Sequence, residues 1–314
     1  MNKLFENGAR VAFIGDSITC NGRAVARIQE YYRTHLPERR VKIYNLGISG
    51  DSAKGANERM DEILSVEPTE AVVMFGVNDM GIWYYGANPS DEDLSLRAER
   101  RLSHIEATVS LVKKLKELNI PVTLCSAVGR DEQTAGDCDT TGATEALLEF
   151  YHENLKAVDG DAIKNTVDYL TPLQSLLKDL TAIGGPMLFA EDRTHPTPLG
   201  QAIMARIFLA AQGLPVSIPT AELLAEGWQD RELSPEIAER WQTESLWRSL
   251  HFVYPHQKHL CGDIPLKERI AFFAERAKNT EPGYIRNQYE NYVNNADKED
   301  GYFAKYMELT DKLY

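Results

Sequence analysis

The sequence predicts an α/β chain, a three-layer α/β/α domain on a parallel sheet, followed by a helical extension. Three observations carry that expectation. Short runs rich in Val, Ile and Leu recur through the first two thirds of the chain, they barely alternate with polar residues, and amphipathic stretches of helical period separate them. Strands that do not alternate have both faces covered. Regular strand–helix alternation stacks right-handed crossovers on a parallel sheet.

Taken in order, five strands are expected over 11–14, 41–46, 71–75, 122–126 and 166–169. Helical patterns fill 22–35, 55–64, 94–118, 144–158 and 172–180, and a last helix over 198–212 follows a long loop. After Gly213-Leu214-Pro215 the pattern changes to one richer in charge and aromatics, with helical stretches near 220–226, 235–250, 266–278 and 302–313. The chain therefore divides into a core domain over 1–214 and a mostly helical extension over 215–314. Apolar positions such as Leu246, Trp247, Leu250 and Phe252 mark the extension as a packing element, a lid or a homo-oligomer contact.

With 314 residues and 43% hydrophobic content, the chain can bury a sizeable core. Its formal net charge of −13 excludes binding nucleic acid or anionic membrane through bulk electrostatics. Cys20, Cys125, Cys138 and Cys261 form no CxxC pair, and Cys20 and Cys125, in or beside apolar segments, read as buried free thiols, which suits a reducing, cytoplasmic compartment. No apolar run approaches the ~20 residues of a membrane-spanning helix, and residues 1–10 lack the apolar centre of a signal peptide. Neither a metal nor a cofactor is expected. His251, His256, His259 and Cys261 cluster loosely in the extension, but their spacing matches no zinc pattern and aromatics surround them, so a structural role is expected.

Chemistry concentrates at the strand ends. The first strand ends in Gly15-Asp16-Ser17, the second in Asn45-Leu46-Gly47-Ile48-Ser49-Gly50, the third in Phe75-Gly76-Val77-Asn78-Asp79. In a parallel sheet these carboxyl ends share one edge, so Ser17, Gly47 and Asn78 should converge in one crevice. Singly each has an ordinary reading, as a helix cap, a turn needing positive φ, and a loop residue. A fourth element, Asp192-Arg193-Thr194-His195-Pro196, lies in the loop before the last core helix. An Asp three residues before a His, in a turn stiffened by proline, can fix the imidazole tautomer and leave the other nitrogen facing a nucleophile.

These four blocks, in this order and spacing, resemble the SGNH (GDSL-like) hydrolase family, whose name lists Ser, Gly, Asn and His. The resemblance spans about residues 10–212, with Ile18 where the family nickname has leucine. It implies a flavodoxin-like sheet and ester or thioester hydrolysis without a metal. It also implies Ser17 as nucleophile, His195 as base and Asp192 as the acid behind it. The oxyanion would be bound by the Ser17 and Gly47 backbone N–H groups and the Asn78 amide. Asp16 competes for the acid's role by adjacency, but the family makes it a supporting residue that bonds neighbouring loops. Ser49 competes as nucleophile but has no evident base, and the G-x-S-x-G elbow of other hydrolases is absent around Ser17.

Trp83 and Tyr84 follow Asn78 closely and either line the crevice, stacking on a sugar or acyl chain, or pack as a loop. The polar insertion over 130–141 would form the opposite rim and lacks the apolar surface wanted for long lipid chains. The expected substrate is thus a small ester with a short acyl group, such as acetyl on a carbohydrate. Lysophospholipase or thioesterase activity is the alternative within the family. A nucleotide-binding protein would need G-x-G-x-x-G after the first strand, which is missing. A non-catalytic flavodoxin-like binding module would tolerate loss of one block, and none is lost.

Overall fold

In the computed structural model, five parallel strands run β1 (Arg10–Gly15), β2 (Lys42–Asn45), β3 (Glu70–Met74), β4 (Val122–Cys125) and β5 (Ile163–Val167). The described residues are 3–134, 139–251, 265–280 and 284–313. The spatial order is β2-β1-β3-β4-β5. All neighbours are parallel, with Phe13 opposite Asn45 on one side of β1 and opposite Val72 on the other. Every residue of β3, and β1 from Val11 onward, is buried, which is why 11–14 and 71–74 read as unbroken apolar runs. Each such Val or Ile contributes about 1.5–3 kcal/mol by leaving water.

Because the chain steps from β1 to β2 in one direction and from β2 to β3 in the other, right-handed crossovers put helices on both faces. Helix α2 (Arg23–His35) packs with α9 (Pro198–Ala211), and α9 also meets α8 (Leu170–Ile183). Helices α3 (Ala53–Glu58) and α7 (Ala143–Ala157) both pack on α6 (Asp91–Glu117). The result is a three-layer α/β/α domain with the flavodoxin-like strand order. Its topological switch point lies between β1 and β3, where ligands bind in open α/β sheets.

Three local differences from the expected elements have clear causes. The last strand starts at Ile163 rather than 166, because Lys164 sits in it paired with the buried Glu70 carboxylate at 2.9 Å. Charge at that position hides the strand from an apolar pattern. The single helix expected over 55–64 is two, α3 and α4 (Met60–Leu64), broken at Arg59 with φ −112° and ψ 32°. Tyr284–Asn295 is a further helix; its Asn- and Gln-rich sequence obscured the buried Tyr289 and Tyr292.

The chain divides into compact units over 1–233 and 234–314, so the expected boundary at 214/215 falls inside the first unit. The reason is packing. Ala221 and Leu224 join the core of the first unit, and Asp230 accepts from Arg27 Nη1 at 2.6 Å and Arg206 Nη2 at 2.9 Å. The second unit contains helices Pro235–His251, Leu266–Asn279, Tyr284–Asn295 and Glu299–Lys312. Within it Arg240 is fully buried, donating to Thr310 Oγ1 at 2.9 Å and to the Tyr306 hydroxyl at 3.1 Å. Phe273 packs between Tyr289 and Tyr292, with ring centroids 5.5 and 4.8 Å away. Among the described residues no helix is long and apolar enough to cross a membrane.

Candidate active site

Strand β1 delivers Ser17 into a tight turn. A Cβ on Gly15 would lie 2.2 Å from Thr19 Oγ1 and 2.8 Å from the Met74 carbonyl, so only glycine lets the strand end this close to β3. Asp16 then caps a single helical turn, α1 (Ser17–Cys20), its carboxylate accepting the Ile18 N–H at 2.9 Å. Ser17, first in that turn, stays half-buried. Its Oγ lies 2.7 Å from His195 Nε2.

The histidine is mounted on a loop closed like a small hairpin. Phe189 and Pro196 form an antiparallel bridge, Ala190 N–H donates to the His195 carbonyl at 2.8 Å, and Thr197 N–H donates to Leu188 at 2.9 Å. Asp192 folds back inside it. One carboxylate oxygen accepts the Thr194 and His195 backbone N–H groups, both at 2.9 Å, and the other lies 2.6 Å from His195 Nδ1. The tautomer that donates Nδ1–H to Asp192 leaves Nε2 to accept from Ser17. Burial resists ionisation of Asp192, but the donors from His195 and Thr194 outweigh it and hold the carboxyl below its ordinary value.

Arg193 has φ 60°, a left-handed conformation that costs a non-glycine residue about 1–2 kcal/mol. Its surroundings over-determine it. Its carbonyl accepts the Asp131 N–H at 2.9 Å, and its Nη1 donates to the Thr134 carbonyl at 2.8 Å. Arg130 Nη1 hydrogen-bonds Thr194 Oγ1 beside the histidine. The polar insertion thus buttresses the histidine loop, a role its sequence did not disclose.

The second and third strand ends converge on the serine turn. Ile48 N–H donates to the Gly15 carbonyl at 2.9 Å. A Cβ on Gly47 would meet the Cys20 nitrogen at 2.4 Å, so glycine there permits contact between the two turns. The Gly47 N–H itself donates to Asn45 Oδ1 at 3.0 Å. Asn78 sits in the short helix α5 (Val77–Met80), launched from Gly76 at φ 141°, and its Nδ2 donates to the Asp51 carbonyl at 2.8 Å. An amide nitrogen has two hydrogens, so one remains for another acceptor.

Beneath this edge lie carboxylates of a different kind. Asp16 is buried, and burial, reinforced by Asp79 and Asp51, pushes its carboxyl up to about 7. Its hydrogen bond from the Ile18 N–H lies within its own turn. Asp51 is raised too, by burial, in spite of Arg59 beside it. Asp79 accepts the Ala53 N–H at 3.0 Å and lies 3.0 Å from His104 Nδ1.

The two aromatic candidates part company. Tyr84 packs partly buried against the core, whereas Trp83 is 67% exposed. The Arg100 guanidinium lies 5.8 Å from the Trp83 ring and 5.2 Å from that of Tyr84. Asp139 of the insertion accepts the Ala87 N–H at 2.7 Å, joining the rim to the loop that follows Trp83. The histidine and aspartate side chains are 46% and 51% exposed.

Among the described residues no three His, Cys, Asp or Glu side chains are grouped to hold a metal ion. The cluster suggested for His256, His259 and Cys261, with the His251 side chain, lies outside the described residues, as does Cys138. Cys20 and Cys125 are free thiols.

Comparison with known proteins agrees with this architecture. The GDSL-like Lipase/Acylhydrolase family matches residues 13–203. An acetylxylan esterase of Geobacillus stearothermophilus is 28% identical over 228 residues, covering 66% of this chain and 95% of that protein. A solved acetylxylan esterase from the same organism has a TM-score of 0.52 at 24% identity, covering 68% of this chain and 97% of that one. A gut microbial diltiazem-metabolizing enzyme has a TM-score of 0.76 at 20% identity, covering 99% of this chain and 95% of that one, so the likeness of fold includes the C-terminal helices. The chain belongs to the GDSL-like lipase/acylhydrolase family and is, by that membership, a carboxylic ester hydrolase.

Proposed function

We infer that the protein removes short acyl groups, acetyl foremost, from carbohydrate esters through an acyl-enzyme on Ser17. The observation that carries the mechanism is the continuous chain Ser17 Oγ–His195 Nε2 at 2.7 Å and His195 Nδ1–Asp192 Oδ2 at 2.6 Å. His195 takes the Ser17 proton as Oγ attacks the ester carbonyl, and Asp192 stabilises the imidazolium that forms. The imidazolium then protonates the departing alcohol. Water, activated by the same imidazole, hydrolyses the acyl-enzyme. The developing oxyanion is received by the Ser17 N–H and the free Nδ2–H of Asn78. The Gly47 N–H, now on Asn45 Oδ1, contributes by sharing its hydrogen or by releasing that bond.

Three features support the substrate class. The histidine and aspartate side chains are about half exposed, the insertion that braces the histidine loop is polar, and Trp83, five residues after Asn78, offers an exposed ring. The acetylxylan esterase relative acts on such an ester by its name. Hydrolysis of acetyl, butyryl and octanoyl esters, together with acetylated xylo-oligosaccharides, tests the reading. Acetyl should be preferred, and Ser17→Ala should abolish turnover while the protein stays folded. A preference for octanoyl would overturn the substrate class, and turnover by folded Ser17→Ala would overturn the mechanism.

A further inference from the structure

The oxyanion site inferred above relies on a side-chain amide, and a side chain donates in a set direction only when its rotamer is locked. Asn78 is locked from the loop after β2, where one of its Nδ2 hydrogens goes to the Asp51 carbonyl at 2.8 Å. Asp51 is in turn held through its own side chain. Arg59 Nε donates to Asp51 Oδ2 at 2.9 Å, Arg59 Nη2 lies 2.8 Å from the same oxygen, and Asp51 Oδ1 accepts the Ser52 N–H at 2.8 Å.

Two features show that the local backbone is built around this pair. A Cβ on Gly55 would lie 2.0 Å from Asp51 Oδ1, so the carboxylate occupies space that glycine leaves. Arg59 stands at the break between α3 and α4, where a continuous helix was expected. The pair is also well shielded, with side chains 9% and 13% exposed, so its attraction is little screened by salt. On the other flank the Ala53 N–H donates to Asp79 Oδ1 at 3.0 Å, tying the same loop to the residue after Asn78.

We propose that Asp51 and Arg59 are a positioning pair that fixes the Asp51 carbonyl beneath Asn78 and thereby aims the second Nδ2–H at the oxyanion. This rests on Asn78 being the oxyanion donor. Neither residue touches the reacting atoms. Their effect is exerted through Asn78 and should appear in the transition state alone.

The test uses the purified full chain, 4-nitrophenyl acetate, and the variants Arg59→Ala, Arg59→Lys, Asp51→Asn, Asn78→Ala and Arg59→Ala/Asn78→Ala. Arg59→Ala should lower kcat about 10- to 100-fold with KM within about two-fold, the mark of an interaction made in the transition state. Arg59→Lys, which keeps the charge but not the fork, should recover part of the loss. In the Asn78→Ala background Arg59→Ala should cost less than about three-fold, because the donor it aims is gone. Losses that multiply in the double variant, or a loss carried by KM, would overturn the proposal. If Arg59→Ala does not fold, Asp51→Asn carries the same comparison with the carbonyl retained. If Asn78→Ala itself costs less than about three-fold, the oxyanion reading fails. If Asn78→Ala is severe and folded Arg59→Ala is fully active, only the positioning pair fails.

Discussion

Two aspartates flank Ser17, one by sequence and one by folding, and their surroundings differ in every respect that matters. Asp16 adjoins the serine in the chain, is buried, and is pushed up to about 7. Asp192 arrives from 175 residues away in the sequence, is half exposed, accepts three N–H groups, and is held below its ordinary value. The acid that can steady an imidazolium is the one kept ionised by donors. The other caps a helical turn and is costly to charge. Adjacency in the chain says nothing about which is which, because donors and burial come from the fold.

Substitution separates the two aspartates, and the largest effect belongs to the turns themselves. Gly47→Ala would thrust a Cβ to 2.4 Å from the Cys20 nitrogen. Backbone cannot yield there as a flexible side chain could, so loss of both stability and esterase activity is expected, read by thermal unfolding and turnover. Next comes Asp192→Asn, which no longer favours the tautomer that leaves Nε2 open to Ser17. A fall in kcat of about 10²–10⁴-fold is expected, with the fold intact by circular dichroism. Asp16→Asn should do the reverse, sparing most of the activity and changing the pH dependence of stability. With a folded-state value of about 7 against an ordinary 3.8, Asp16 binds its proton more tightly in the folded state. Wild-type stability should therefore fall as pH rises from 4 towards 7, by on the order of 1–4 kcal/mol. Asp16→Asn keeps an acceptor for the Ile18 N–H and should lack that decline, as denaturant titrations at pH 5 and 8 would show. Equal pH slopes in the two proteins would contradict the burial argument.

The smallest effect concerns the rim. Trp83→Ala should leave 4-nitrophenyl acetate hydrolysis within about two-fold, yet lower kcat/KM on acetylated xylo-oligosaccharides about five-fold, the worth of roughly 1 kcal/mol of aromatic contact. An equal loss on both substrates would make Trp83 a packing residue like Tyr84.

What the sequence disclosed follows from the same contrast. Ser17, Asp192 and His195 stood out as candidates because such chemistry demands particular residue types, and the fold joins them in one hydrogen-bonded chain; the strand ends were legible because apolar runs stop there. The sheet was legible because β1 and β3 are buried on both faces. The supports were not. Asn45 under the Gly47 N–H, Arg130 at Thr194, and the Arg59–Asp51 pair behind Asn78 act through backbone carbonyls and fold-dependent contacts that leave no periodic mark. Lys164 misled for a related reason. Its partner Glu70 lies 94 residues away, so a charged residue inside a strand looked like a strand that had not yet begun.

In the proposed mechanism Ser17 forms the covalent intermediate with His195 as its base. Reaction of the intact protein with a fluorophosphonate, followed by peptide mass spectrometry, tests it directly. One adduct on Ser17, lost in Ser17→Ala and strongly slowed in His195→Ala, is predicted. An adduct on Ser49 or another serine, or undiminished labelling without His195, would contradict it.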